Sequence, residues 1–227
     1  MSKSIFALIK VGKQIHLQQF REHGLLFMKS PAAFRDLECD AFRSDPFEGS
    51  DTIIQPRDVE LTFSNPLVGK FTASPSDLAG PVRIGMARTA SCNIFCMFAI
   101  TQPLDGGFDS RIFEIPDADS LIAVLNPSEF IRRVSLAANE HKLAGKCALV
   151  NYYDPDTYSG ETGVFGKPTA FAYQQEFRLA VWPGSVEPRL LSAGSVVDIT
   201  SEIVPLSDAN ERFDFSTRSA QEAGIVL

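Results

Sequence analysis

Residues 171–182, FAYQQEFRLAVW, alternate with period two, the pattern of a strand that buries one face. Phe171, Tyr173, Gln175, Phe177, Leu179 and Val181 fall on one side; Ala172, Gln174, Glu176, Arg178, Ala180 and Trp182 fall on the other. The strand signal over residues 170–182 is the strongest in the chain. Residues 92–101 form a second run, apolar on both faces and stopped by Gln102-Pro103 and Gly106-Gly107, as expected of a strand inside a sheet. Further strands are expected at 4–9, 25–28, 147–153 and 195–200, with 111–115 pairing beside the 92–101 run.

Two helices complete the pattern. Residues 13–22 carry Leu17 and Phe20 on one face, and Gly24 suits the left-handed position that ends a helix. Asn126-Pro127-Ser128-Glu129 supplies an N-cap, a first-turn proline and an acid at the third position. Phe130, Ile131, Val134, Ala137 and Ala138 follow as its apolar stripe. Helices early and strands late predict an α+β fold, a single domain over residues 1–227 with a mixed or antiparallel sheet. Residues 29–90, rich in Pro, Ser, Asp and Gly, read as a long irregular segment.

At 227 residues, a chain of this length buries about 70% of its unfolded surface and needs no staples. Cys39, Cys92, Cys96 and Cys147 lack metal-ligand spacing, and Cys92 and Cys96 read as buried thiols; no metal site is expected. The apolar run near the N-terminus is too short for a signal-peptide core and none reaches membrane-span length, so the expected compartment is a reducing cytoplasm, without membrane association. With 21 basic against 28 acidic side chains the net charge is −7. Bulk nucleic-acid binding is therefore disfavoured, and a phosphate-bearing ligand of nucleotide size must be held locally, by Arg43, Lys167 or Arg178. Neither Walker A, G-x-S-x-G nor G-x-G-x-x-G occurs.

Side chains at i and i+2 on one strand face lie about 7 Å apart, so Gln174, Glu176 and Arg178 can meet one ligand. An acid flanked by an arginine is either a reaction centre or an exposed ion pair. The glycine-rich approach at residues 159–168 favours the first reading. Arg35, Asp36, Arg43, Asp45 and Glu48 form a second cluster that either binds a ligand or caps a turn. The histidines, His16, His23 and His141, sit on or near the two helices and are not expected to be catalytic.

These segments resemble an uncharacterised bacterial and phage domain family. Its members carry "L-x-F-x-x-P-x-x-F" on a short strand, then "D-P-F-E", and later "K…E-x-E-aromatic-R". The counterparts here are residues 26–34, Asp45-Pro46-Phe47-Glu48, and Lys167 with Gln174-Gln175-Glu176-Phe177-Arg178, and the resemblance spans about residues 4–200. An insertion separates Phe34 from Asp45, and Gln174 replaces the first acid. Gln-x-Glu is also similar to the late motif of ADP-ribosyltransferases. That resemblance implies an ADP-ribosyltransferase-like fold, and a transferase or a glycohydrolase of that fold, with NAD as co-substrate, a protein or nucleic-acid acceptor, and a toxin or defence role. It makes Glu176 the acid that stabilises the ribose oxocarbenium ion and Gln174 the residue that positions the acceptor. Lys10, Arg43, Lys167, Tyr173 and Arg178 are then the candidate NAD contacts, with Lys10 standing where those enzymes have Arg or His. The middle Ser-Thr-Ser signature is absent, with residues 71–74 and 91–93 as its nearest counterparts. Two alternatives remain open: a metal-dependent nuclease using Asp45, Glu48 and Glu176, and a binding or regulatory module without turnover.

Overall fold

The computed structural model describes residues 4–35, 48–67, 69–85 and 91–216, apart from the side chains of Phe34 and Arg35. β1 (Ala7–Gly12) leads into α1 (Gln14–His23), which returns through β2 (Leu25–Met28) to α2 (Pro31–Arg35). Next come β3 (Thr52–Ile54), β4 (Leu61–Asn65), β5 (Gly69–Ala73), β6 (Val82–Ile84), β7 (Asn93–Ile100), β8 (Ser120–Val124) and α3 (Pro127–Glu140). β9 (Ala144–Leu149), β10 (Asn151–Tyr153), β11 (Gly160–Glu161), β12 (Gly166–Pro168), β13 (Glu176–Trp182), β14 (Arg189–Ser192), β15 (Val204–Pro205) and α4 (Ala209–Arg212) complete the order.

The fold is α+β. Its largest sheet has six strands in the order β15-β8-β1-β7-β13-β9, each antiparallel to its neighbours. Alternation along these strands sends side chains to two separate cores. Leu8, Phe95, Met97, Phe177, Leu179 and Val181 pack with Leu17 and Phe20 of α1 and with Phe130 and Val134 of α3. Ala7, Ile9, Phe98 and Ile100 face the other way, towards Phe108, Ile112 and Ala209. Ile94 and Ala180 join Cys92 and Val164 in a third cluster.

Both expected helices are present. The Asn126 side chain accepts from Glu129 N at 3.1 Å, as the N-cap reading requires. α1 ends at Gly24, whose φ of 58° is left-handed, and a Cβ built there would lie 2.1 Å from the carbonyl oxygen of Gly194. Gly24→Ala therefore combines a strained backbone with a collision against another backbone. It is expected to lower unfolding stability by more than ~1 kcal/mol in urea titration.

Several local expectations need correction. Residues 169–174 wind into a 3₁₀ turn and Gln175 adopts φ 38°, so the strand begins at Glu176 instead of Ala170. Alternation over a short segment containing two alanines does not distinguish a strand from a turn, and tertiary contacts decide. Residues 110–113 and 197–199 are also 3₁₀ turns where strands were expected. The described parts of the 29–90 segment hold α2 and four short strands, including the β4–β5 hairpin with its exposed, stacked Phe63 and Phe71. Strand β8 went unread, although all five of its residues are buried.

Candidate functional site

Four charged side chains meet on the β13 face opposite α1 and α3. Glu176 and Arg178 project from β13, Lys167 comes from β12, and Glu48 lies at the start of the 48–67 stretch, ahead of β3; all four are buried. Arg178 Nε donates to Glu176 Oε1 at 2.8 Å, while its Nη1 and Nη2 grip the two oxygens of Glu48 at 2.8 Å each. Nη1 also donates to the Val164 carbonyl at 2.6 Å. Lys167 Nζ donates to Gln174 Oε1 at 2.6 Å and to Glu176 Oε2 at 3.2 Å, and lies 4.8 Å from the centre of the Phe171 ring. Two cations and two carboxylates thus form a neutral quartet, the arrangement that makes burial of charge tolerable.

Burial alone would raise the Glu176 pKa. The Arg178 guanidinium and Lys167 ammonium outweigh that cost, with hydrogen bonds from Arg178 and Cys96, and hold the carboxyl well below the usual range. Burial likewise opposes the charge on Arg178, but Glu176 and Glu48 keep it firmly protonated. Cys96 lies opposite Arg178 in the β7–β13 register, and desolvation, aided by Glu176, pushes its thiol up. Desolvation takes the Cys92 thiol up to about 12, so neither cysteine offers a ready thiolate. Tyr152 Oη accepts from the Glu176 backbone N–H at 2.8 Å, fixing the first residue of β13 from the neighbouring β10.

Beside the quartet the main sheet splits. β1 pairs with β7 over only Ala7–Ile9, then follows β8 through Gly12. Lys10 Nζ donates to the Cys96 carbonyl at 2.8 Å across the opening, and its ammonium lies 4.3 Å from the centre of the Phe95 ring. Lys29 closes the far end of the split by a two-way backbone bridge to Ile94, at 3.2 and 2.8 Å. A cavity of about 810 Å³ occupies the split, within the size range of small-molecule sites. Residues from both sheet faces line it, including Lys10 on the α1 side and Glu176 on the other. Among the described residues its wall carries six cations, Lys10, Lys13, Lys29, Arg111, Lys167 and Arg178, against Glu48, Asp117 and Glu176. That is the reverse of the whole chain, where acids outnumber bases.

The structure brings Lys10, Lys167, Tyr173, Gln174, Glu176 and Arg178 to this one cavity. Gln174 arrives from the 3₁₀ turn, so it meets Glu176 through Lys167 and not along a shared strand face. Arg43 and Asp45 lie outside the described residues. Glu48 is present but engaged by Arg178. Among the described residues no group of three or more His, Cys, Asp or Glu could hold a metal ion, and Glu48 and Glu176 both bond to cationic side chains. Sequence reasoning missed Arg111, Tyr152 and Cys96 as site residues. Cys96 carried a faint signal through its place in the β7 run, whereas the other two depend on tertiary approach. No helix among the described residues is long and apolar enough to cross a membrane. The chain matches no protein-family model, no curated protein and no solved structure.

Proposed function

We propose that the cavity binds NAD and that the protein cleaves its nicotinamide–ribose bond, passing ADP-ribose to a macromolecular acceptor or to water. One observation carries this reading: Gln174 and Glu176 converge on the Lys167 ammonium in the wall of a cavity whose charge is opposite to that of the chain. Basic side chains in the wall suit the diphosphate, and the aromatic rings there suit the ligand's bases. As the glycosidic bond breaks, its electron pair leaves with the pyridinium ring as neutral nicotinamide, and positive charge develops at C1′ of the ribose. An ionised carboxylate fixed nearby stabilises that charge without reorganising. Glu176 Oε1 is held by Arg178 at 2.8 Å, while the contacts to Oε2 are 3.2 and 3.3 Å, so Oε2 is the more weakly held oxygen. The acceptor oxygen then bonds to C1′ and gives up its proton to solvent water; Gln174 is the group assigned to position that acceptor.

The closed charge quartet favours a second reading, a binding module without turnover, because every charge in it already has a partner. Incubation of purified full-length protein with NAD separates the two. Nicotinamide release detected by chromatography, with ADP-ribose free or attached to an added lysate, is the expected result. A rise in melting temperature with NAD but no nicotinamide would favour the binding module. Neither response would overturn both.

A further inference from the structure

Arg111 is oriented in the cavity wall by a carboxylate and an aromatic ring, although half of its side chain is exposed. It lies on a 3₁₀ turn, Ser110–Phe113, anchored in the second core by the buried Ile112. Asp109 accepts from Arg111 Nε at 3.0 Å and Nη2 at 2.6 Å, and also from its backbone N–H at 3.0 Å. The guanidinium carbon lies 4.1 Å from the centre of the Tyr173 ring. Tyr173 Oη in turn accepts from Gln174 Nε2 at 3.3 Å, and Gln174 reaches Glu176 through Lys167. A continuous chain of contacts therefore joins Arg111 to the proposed reacting centre. The Arg111 side chain is 51% exposed, and among the described residues Nη1 makes no hydrogen bond to the protein.

The geometry points to Arg111 and Tyr173 as a platform for a neutral nucleobase, so that this end of the cavity takes the adenine ring of an adenine nucleotide. The inference rests on the reading of the cavity as a nucleotide site, and adds the subsite that selects the base. A planar cation already oriented by Asp109 and an aromatic ring stacks on a neutral purine at little ordering cost. A cationic pyridinium ring would be repelled by the same guanidinium, which sets the orientation of a dinucleotide in the cavity. The Arg111–Asp109 pair lies at the surface, so its loss has little effect on folding.

Binding of ADP-ribose and of ribose 5-phosphate to the full-length protein, followed by calorimetry, tests the platform. Arg111→Ala and Tyr173→Ala are expected to weaken ADP-ribose by roughly 10-fold, the scale of losing one base-stacking partner. Ribose 5-phosphate, which has no base, should bind them as it binds the wild type. Tyr173→Phe keeps the ring and should retain most of the ADP-ribose affinity. An equal loss for both ligands would make Arg111 a phosphate contact and overturn the inference. Unchanged ADP-ribose binding, or no wild-type binding of ADP-ribose, overturns it as well. Selective loss of ADP-ribose in a protein that releases no nicotinamide would leave the platform standing and remove the proposed reaction.

Discussion

Arg178→Met is expected to destabilise the protein by about 3–5 kcal/mol, the cost of leaving a buried charge without its partner. For a chain of this size that is a fall of roughly 6–20 °C in Tm. Arg178 is 1% exposed, and its guanidinium serves three acceptors at once: Glu176, Glu48 and the Val164 carbonyl. Glu176 retains Lys167 when Arg178 is removed, but among the described residues Glu48 meets no other cation. Adding Glu48→Gln to Arg178→Met should therefore recover part of the loss, because it neutralises the one buried carboxylate left with no cation. Arg178→Lys is no rescue, since one ammonium cannot reproduce the fork that holds Glu48 by both oxygens. Thermal and urea unfolding of the three variants measure this directly. Equal stability of Arg178→Met and wild type would mean that the quartet does not form.

Helices α1 and α3 were legible because their signals are local. Gly24 ends one by its own backbone freedom, and Asn126 starts the other through a hydrogen bond three residues away. Strand β7 was legible because a run apolar on both faces has one home, inside a sheet covered on both sides. Residues 169–175 were misread because alternation is only a proxy for which face is buried. There the chain is turned by the contact of Gln174 with Lys167 and by the bond from Ala99 N to the Gln175 carbonyl. Within the site, the Glu176–Arg178 pair could be read from its i, i+2 spacing. The role of Glu48 could not, since it meets Arg178 across 130 residues of sequence. Arg111 was hidden for the same reason: its partner Asp109 is local, but the ring that gives it meaning is not. Residues that act through a near neighbour leave a spacing in the sequence; those that act through the fold leave none.

Glu176→Gln is expected to reduce nicotinamide release by about 10²–10³-fold, the usual cost of deleting one preorganised group aimed at developing charge. The loss should fall on kcat with KM little changed, because the carboxylate acts on charge that the ground-state ribose does not carry. Stability must be separated from chemistry, since the substitution leaves Lys167 without its carboxylate partner, while Arg178 keeps Glu48. Rates are therefore compared well below the variant's own melting midpoint. The pH profile gives a second readout. A depressed folded-state pKa means that Glu176 contributes stability fully above its ordinary value of 4.5, and loses that contribution as pH falls towards the depressed value. Its carboxylate form persists over the same range, so Glu176 should impose no acid limb on kcat between about pH 8 and 5. A limb centred near neutrality that disappears in Glu176→Gln would require a Glu176 freed from Lys167 and Arg178. The proposed role of the buried quartet, holding the acid permanently ionised, would then be wrong.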